Sequence, residues 1–142
     1  MERDYVATNR AATERLRMLA NRLNDDDLRR TLGNGWSVAV ALVHIAFFDR
    51  RTARLAERWR RDGYGPSPYD ADAINDAMLP AWQLIPPRAA VNEALAAADE
   101  ADATVANLPD DLLATIRKKG GLRTNRAEHR LNHIEEIEAL IS

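Results

Sequence analysis

The chain has 142 residues, 46% of them hydrophobic and 30% charged, with 20 basic against 22 acidic side chains and a formal net charge of −2. That is enough for one domain with a buried core, residues 1–142, and too balanced in charge for a dedicated binder of DNA or RNA. Cysteine is absent, which excludes disulfides, thiolate metal ligation and a thiol nucleophile.

Alanine, leucine, arginine and glutamate dominate while β-branched residues are sparse, so an all-α fold is expected. A first helix is predicted from about Asp4 to Asn24, with Tyr5, Ala12, Leu16, Leu19 and Leu23 at helical spacing. Asn24-Asp25-Asp26-Asp27 breaks it or caps a short turn through Leu32, and Gly33-Asn34-Gly35 punctuates the chain. Ser37 is a good N-cap for a second helix, with Trp36 before it as a hydrophobic staple. Val38, Ala41, Ile45, Phe48, Thr52, Leu55 and Trp59 form its seam, and it should end near Asp62-Gly63. The acidic residues among Arg50, Arg51, Arg54, Arg58, Arg60 and Arg61, Asp49 included, read as part of a solvated face.

From Tyr64 to Pro87 five prolines forbid a long continuous helix, although Asp72–Leu79 fits a short one. A connection this long can run the length of a bundle and leave the helices on either side parallel. A third helix is expected over Arg88–Asn107 with an apolar face of Val91, Leu95, Ala98, Ala101, Val105 and Leu108. Asp102 falls within that stripe and reads best as a carboxylate paired with an arginine. Pro109 ends the helix, a turn passes through Lys118-Lys119-Gly120-Gly121, and a fourth helix runs from Thr124 or Asn125 to Ile141, Asn125 and Glu128 having capping-box spacing. The alanine-rich third helix offers a flat face on which a homodimer could form.

The chain has three histidines. His129 and His133 stand at i and i+4, one turn apart on one helix face, a spacing that lets two imidazoles share a metal ion. His44 flanks the seam of the second helix, and a bundle could bring it beside the pair. The pattern H-x-x-x-H also occurs in helices that bind nothing, so structural histidines remain the alternative. No apolar run nears the ~20 residues of a membrane span, and Met1-Glu2-Arg3-Asp4 lacks the character of a secretory signal, so a cytoplasmic protein with no membrane partner is expected.

Three segments resemble the DinB/YfiT-like family of metal-binding four-helix bundles: Gly35-Trp36-Ser37-Val38 with Val43-His44-Ile45, Asp72-Ala73-Ile74-Asn75, and Glu128-His129-Arg130-Leu131-Asn132-His133-Ile134. The second is similar to the D-x-x-N of the mycothiol-dependent maleylpyruvate isomerase branch. The resemblance implies a four-helix bundle with a long crossover between its second and third helices. It also implies a divalent metal held by His44, His129 and His133; all-imidazole ligation suits Zn, Ni, Fe or Cu, with Zn or Ni expected first. Thiol-dependent transfer or isomerisation with a low-molecular-weight thiol is the activity implied first, and metal-dependent hydrolysis second. A small molecule is the expected substrate, and a non-catalytic interaction module is the reading from another class. Asp72, Asn75 and Glu136 are candidates to hold the free ring nitrogens, and Arg51, seven residues after His44, to meet an anionic substrate.

Overall fold

The helical periodicity of the sequence appears as seven α-helices and no strand in the computed structural model, which describes residues 1–142. They are α1 (Tyr5–Arg22), α2 (Asp25–Arg29), α3 (Val38–Asp62), α4 (Ala71–Trp82), α5 (Pro87–Ala106), α6 (Asp110–Lys119) and α7 (Ala127–Ile141). Four are the predicted long helices, with ends within about two or three residues of those expected, an ordinary margin. The other three are short and fill the connections. No helix is long and apolar enough to cross a membrane.

Local chemistry explains the breaks. Asn24 and Asp27 cap α2 reciprocally: the Asn24 side chain accepts from the Asp27 N–H at 2.8 Å and the Asp27 carboxylate accepts from the Asn24 N–H at 3.1 Å. Gly35 adopts φ +89° in the turn that follows, a backbone open to glycine at little cost. Ser37 Oγ then accepts from the Val40 N–H at 3.1 Å and starts α3. Within the expected long loop, Asp70 caps α4, which is longer than predicted and carries Pro80 in its last turn.

The helix α6 occupies the stretch between Pro109 and the expected turn at Lys118–Gly121, to which the sequence reading assigns no element. Its signals were present: Pro109 before it, Asp110 and Asp111 in its first turn, and Arg117, Lys118 and Lys119 in its last, each sign favourable to the helix dipole. At Asn125 the capping box is half made, the Asn125 side chain accepting from the Ala127 and Glu128 N–H groups.

The helix α3 is the hub. It packs along α5 and touches α2, α4 and α7, while α1 packs on both α5 and α7. The first half of α3 shares a core with the first half of α5 (Val38–Phe48 with Ala90–Ala98), and the second halves share another (Leu55–Trp59 with Val105 and Leu108). The two helices therefore run parallel. Ala90, Ala94, Ala98 and Ala101 are buried, so the small residues read as a dimer face line the interior of the chain.

The two apolar cores are separated by a polar layer. Along α1, Asn9 and Thr13 lie between Tyr5 and Leu16; along α3, Asp49 and Thr52 lie between Phe48 and Leu55; along α5, Asp102 lies between Ala98 and Val105.

Candidate metal centre

His44 projects from α3, and His129 and His133 from α7. The three ring centroids lie 4.8–4.9 Å apart in every pairing. One nitrogen from each ring falls within 4.8 Å of the others, forming a set of donors that could hold an ion. His44 Nε2 and His129 Nε2 are 2.9 Å apart. Aromatic rings wall the group: Trp36 stands 4.9 Å from His44, Phe48 5.1 Å and Trp82 5.8 Å, centroid to centroid.

Burial among these rings disfavours imidazolium. It lowers the pKa of His44 to about 4, with His133 adding to the shift and the Asn75 hydrogen bond opposing it. Burial lowers that of His129 to about 3, aided by His133, His44, Arg126 and Arg130. His133 is lowered by burial as well, against the opposing charge of Glu136. All three rings are neutral at pH 7, the protonation state a metal ligand needs.

The residues expected to hold the free ring nitrogens divide. Asn75 reaches the site: its Oδ1 lies 3.1 Å from His44 Nδ1, which therefore donates and leaves the Nε2 lone pair facing the group. Asp72 does not reach it. It is exposed in the first turn of α4, one position inside the actual cap and its neighbour, and hydrogen-bonds to no imidazole. Glu136 Oε1 is 3.7 Å from His133 Nδ1, too long for a hydrogen bond, and is exposed. Arg51 donates to Ser67 O at 2.8 Å and lies over the Tyr69 ring at 4.0 Å, so it ties down the chain after α3 and lines a cavity beside the imidazoles.

His129 tests whether the group suits an ion. Its Nδ1 is buried with no hydrogen-bond partner. If Nε2 carries the proton it donates to His44, and the Nδ1 lone pair is stranded. If Nδ1 carries the proton, that donor is stranded and two Nε2 lone pairs face each other at 2.9 Å. A shared cation turns those facing lone pairs from repulsive into attractive, so the donor set fits a divalent ion.

Behind the site lies an ionic group that sequence reasoning missed. Asp49, fully buried, accepts from Arg126 Nε at 2.9 Å and Arg130 Nε at 2.7 Å. Arg130 also pairs with Asp102 at 2.8 Å and donates to Thr13 Oγ1 at 3.0 Å. Asn9 Oδ1 accepts from the Arg126 N–H at 2.7 Å and the Ala127 N–H at 3.2 Å, closing the start of α7. These contacts set the position of α7, and with it His129 and His133, against α1, α3 and α5. Asp49 is thus no part of a solvated face. Its signal was its place four residues after Ile45 and three before Thr52, on the buried side of α3.

A helical protein with a partly buried three-imidazole group at the junction of two of its helices is the class that fold and site define. Residues 8–138 match the DinB superfamily, which covers nearly the whole chain. The chain belongs to the DinB superfamily. Comparison with curated proteins and with solved structures gave no match.

Proposed function

We propose that this chain is a DinB-type four-helix bundle of α1, α3, α5 and α7 that holds one divalent transition ion on His44, His129 and His133 for chemistry on a small molecule. The observation that carries this reading is the convergence of every histidine in the chain, from two helices, into one group of neutral donors. Three imidazoles leave coordination positions open, the arrangement of a catalytic rather than a structural site. An all-imidazole set suits Zn or Ni. Such an ion, when bound, supplies Lewis acidity and makes a bound water or thiol more acidic.

The chain's own residues do the rest. Asn75 fixes the His44 tautomer. Trp36, Phe48 and Trp82 pack around His44 and, by desolvating it, favour its neutral form. A cavity of about 240 Å³ ends on His44 and His129 and is open to a small substrate. With no cysteine in the chain, a sulfur nucleophile must arrive as a low-molecular-weight thiol, and thiol-dependent transfer or isomerisation is the reaction class we assign. In the D-x-x-N segment Asn75 serves the site, which supports placing the chain near the mycothiol-dependent isomerase branch.

Elemental analysis of tag-free protein tests the reading. Wild type should carry about one ion per chain and His129→Ala none. Metal-loaded protein given a thiol and an electrophile should turn over, and His44→Ala should not. No ion after incubation with Zn or Ni overturns the metal centre. Turnover of an ester or amide that is indifferent to thiol replaces the transfer reading with hydrolysis.

A further inference from the structure

We propose that the cavity beside the imidazoles is a carboxylate site in which Arg51 and Arg123 receive a small organic acid. The proposal deepens the function above by naming its substrate class, and depends on that reading only in calling the acid a substrate.

Burial and charge pairing go together among the arginines of this chain. Those that are buried or half-buried pair with a carboxylate: Arg3 with Asp110, Arg15 with Glu138, Arg17 with Glu14, Arg50 with Glu100, and Arg126 and Arg130 with Asp49. Arg51 is the exception. It is half-buried, yet its partners are neutral: Ser67 O at 2.8 Å, Ser67 Oγ at 3.2 Å and the Tyr69 ring. Its charged neighbours are other arginines, Arg126 and Arg58, and no carboxylate lies within ion-pair distance. Burial lowers its pKa, Tyr69 opposes that shift, and Arg126 and Arg58 add to it. A partly desolvated guanidinium among other cations is a group prepared for an anion from outside the chain.

The second guanidinium comes from a different part of the chain. Arg123, on the segment between α6 and α7, makes no ion pair. Both Arg51 and Arg123 line the 240 Å³ cavity that ends on His44 and His129. They also line a larger one of about 520 Å³ that lies past Ser67 and Gly121. Gly121 has φ +90°, and a Cβ there would meet the Trp59 ring at 3.1 Å, so the chain leading to Arg123 follows a path a larger residue would not allow.

The class of anion follows from the remaining walls. Phe48 and Tyr69 offer apolar surface for an organic body, and Glu128 on the rim opposes a dianion. A carboxylate presents two oxygens in one plane to a guanidinium fork and carries a single charge. Bound there, it would place the rest of the molecule toward His44 and His129.

Benzoate is the probe, titrated into metal-free and zinc-loaded protein while the arginine Nε–H resonances are followed by NMR, with benzamide and inorganic phosphate as comparisons. Benzoate should shift Arg51 and Arg123 saturably in both forms, and benzamide should not. Arg123→Gln and Arg51→Gln should each weaken benzoate about tenfold, the scale of one charged hydrogen-bond pair, while Arg29→Gln, on the exposed face of α2, leaves it unchanged. Arg123 is exposed, so its variant keeps the fold if Arg51→Gln does not. Equal binding of benzamide, tighter binding of phosphate, or an unchanged benzoate affinity in Arg123→Gln overturns the site. Binding confined to zinc-loaded protein and indifferent to Arg123→Gln places the carboxylate on the ion and also overturns it. Saturable benzoate binding by a protein that takes up no zinc sustains the anion site while the metal centre fails; the converse pattern separates them the other way.

Discussion

The helix α7 and its N-cap carry two inward-facing polar groups within about two turns, and they are finished differently. Arg126 and Arg130 meet the Asp49 carboxylate, and Asp102, Thr13 and Asn9 take up much of what is left. His129 and His133 meet His44, another ring of their own kind, and the Nδ1 of His129 meets nothing. A buried polar group without its partner costs about 1–3 kcal/mol, more when charged. In the first group every charge meets an opposite charge, although Asp102 Oδ1, 2.8 Å from Arg130 Nη1, makes no hydrogen bond, and the group reads as architecture. The second holds no opposite charge at all: its three neutral rings offer donor atoms that could hold a cation.

The comparison breaks most sharply at Asp49. Removing its carboxylate strands two buried guanidinium groups, so Asp49→Ala should lose about 3–5 kcal/mol of stability in urea unfolding. A loss under 1 kcal/mol would mean the ionic group is hydrated and not architectural, on the scale of an exposed pair.

The imidazole group should respond to ligand instead. Zinc at about a hundredfold over its dissociation constant should raise stability by about 2.7 kcal/mol, and a chelator should reverse this. His133→Ala should abolish the gain and change metal-free stability by only about 1 kcal/mol, since the ring is half-buried and already poorly partnered.

Acid should separate the groups next. The folded pKa values of His44 (about 4) and His129 (about 3) lie below the unfolded value near 6.5, so the unfolded chain takes up protons first as pH falls. Metal-free stability should therefore be fully present above pH ~6.5 and fall by about 2 kcal/mol or more on the way to pH ~4. The His44→Ala and His129→Ala proteins should each show a shallower fall. An identical slope in wild type and variants would assign the acid sensitivity elsewhere.

The smallest effect is expected at Asn75. Asn75→Ala should weaken metal binding about tenfold, the usual scale for a residue that orients a ligating imidazole, with little change in fold stability. Isothermal titration with zinc reads it directly, and an unchanged affinity would remove Asn75 from the site.

Parts of this were legible in the residues because they depend on neighbours in the chain. Ser37 caps α3 and the Val38–Trp59 seam is buried, since both follow from spacing along one helix. The i and i+4 relation of His129 and His133 is of the same kind. Asp102 paired with an arginine as its place on the apolar stripe of α5 indicated, although the partner, Arg130, could not be named. Charge pattern was less dependable. Asp49 looks like any acid among arginines until α7 is laid against it, and Asp72 looks as able as Asn75 to reach an imidazole until the fold leaves it exposed. The helix α6 is short, ten residues, and its apolar residues Leu112, Leu113 and Ile116 show their role only where they close the second core.

The sequence by itself determined the all-helical class, the long helices and their caps, the absence of any thiol, and the fact that three histidines were all the imidazole there was to use. Those follow from composition and from periods of three and four residues, which act over a few ångströms along the backbone. Only the tertiary structure decided that His44 stands 2.9 Å from His129, that Asn75 and not Asp72 serves it, and that Arg51 lacks a carboxylate where Arg126 and Arg130 have one. Those depend on how far one helix is rotated and slid against another, and that is set by the packing of alanine, leucine and aromatic side chains summed over the whole core.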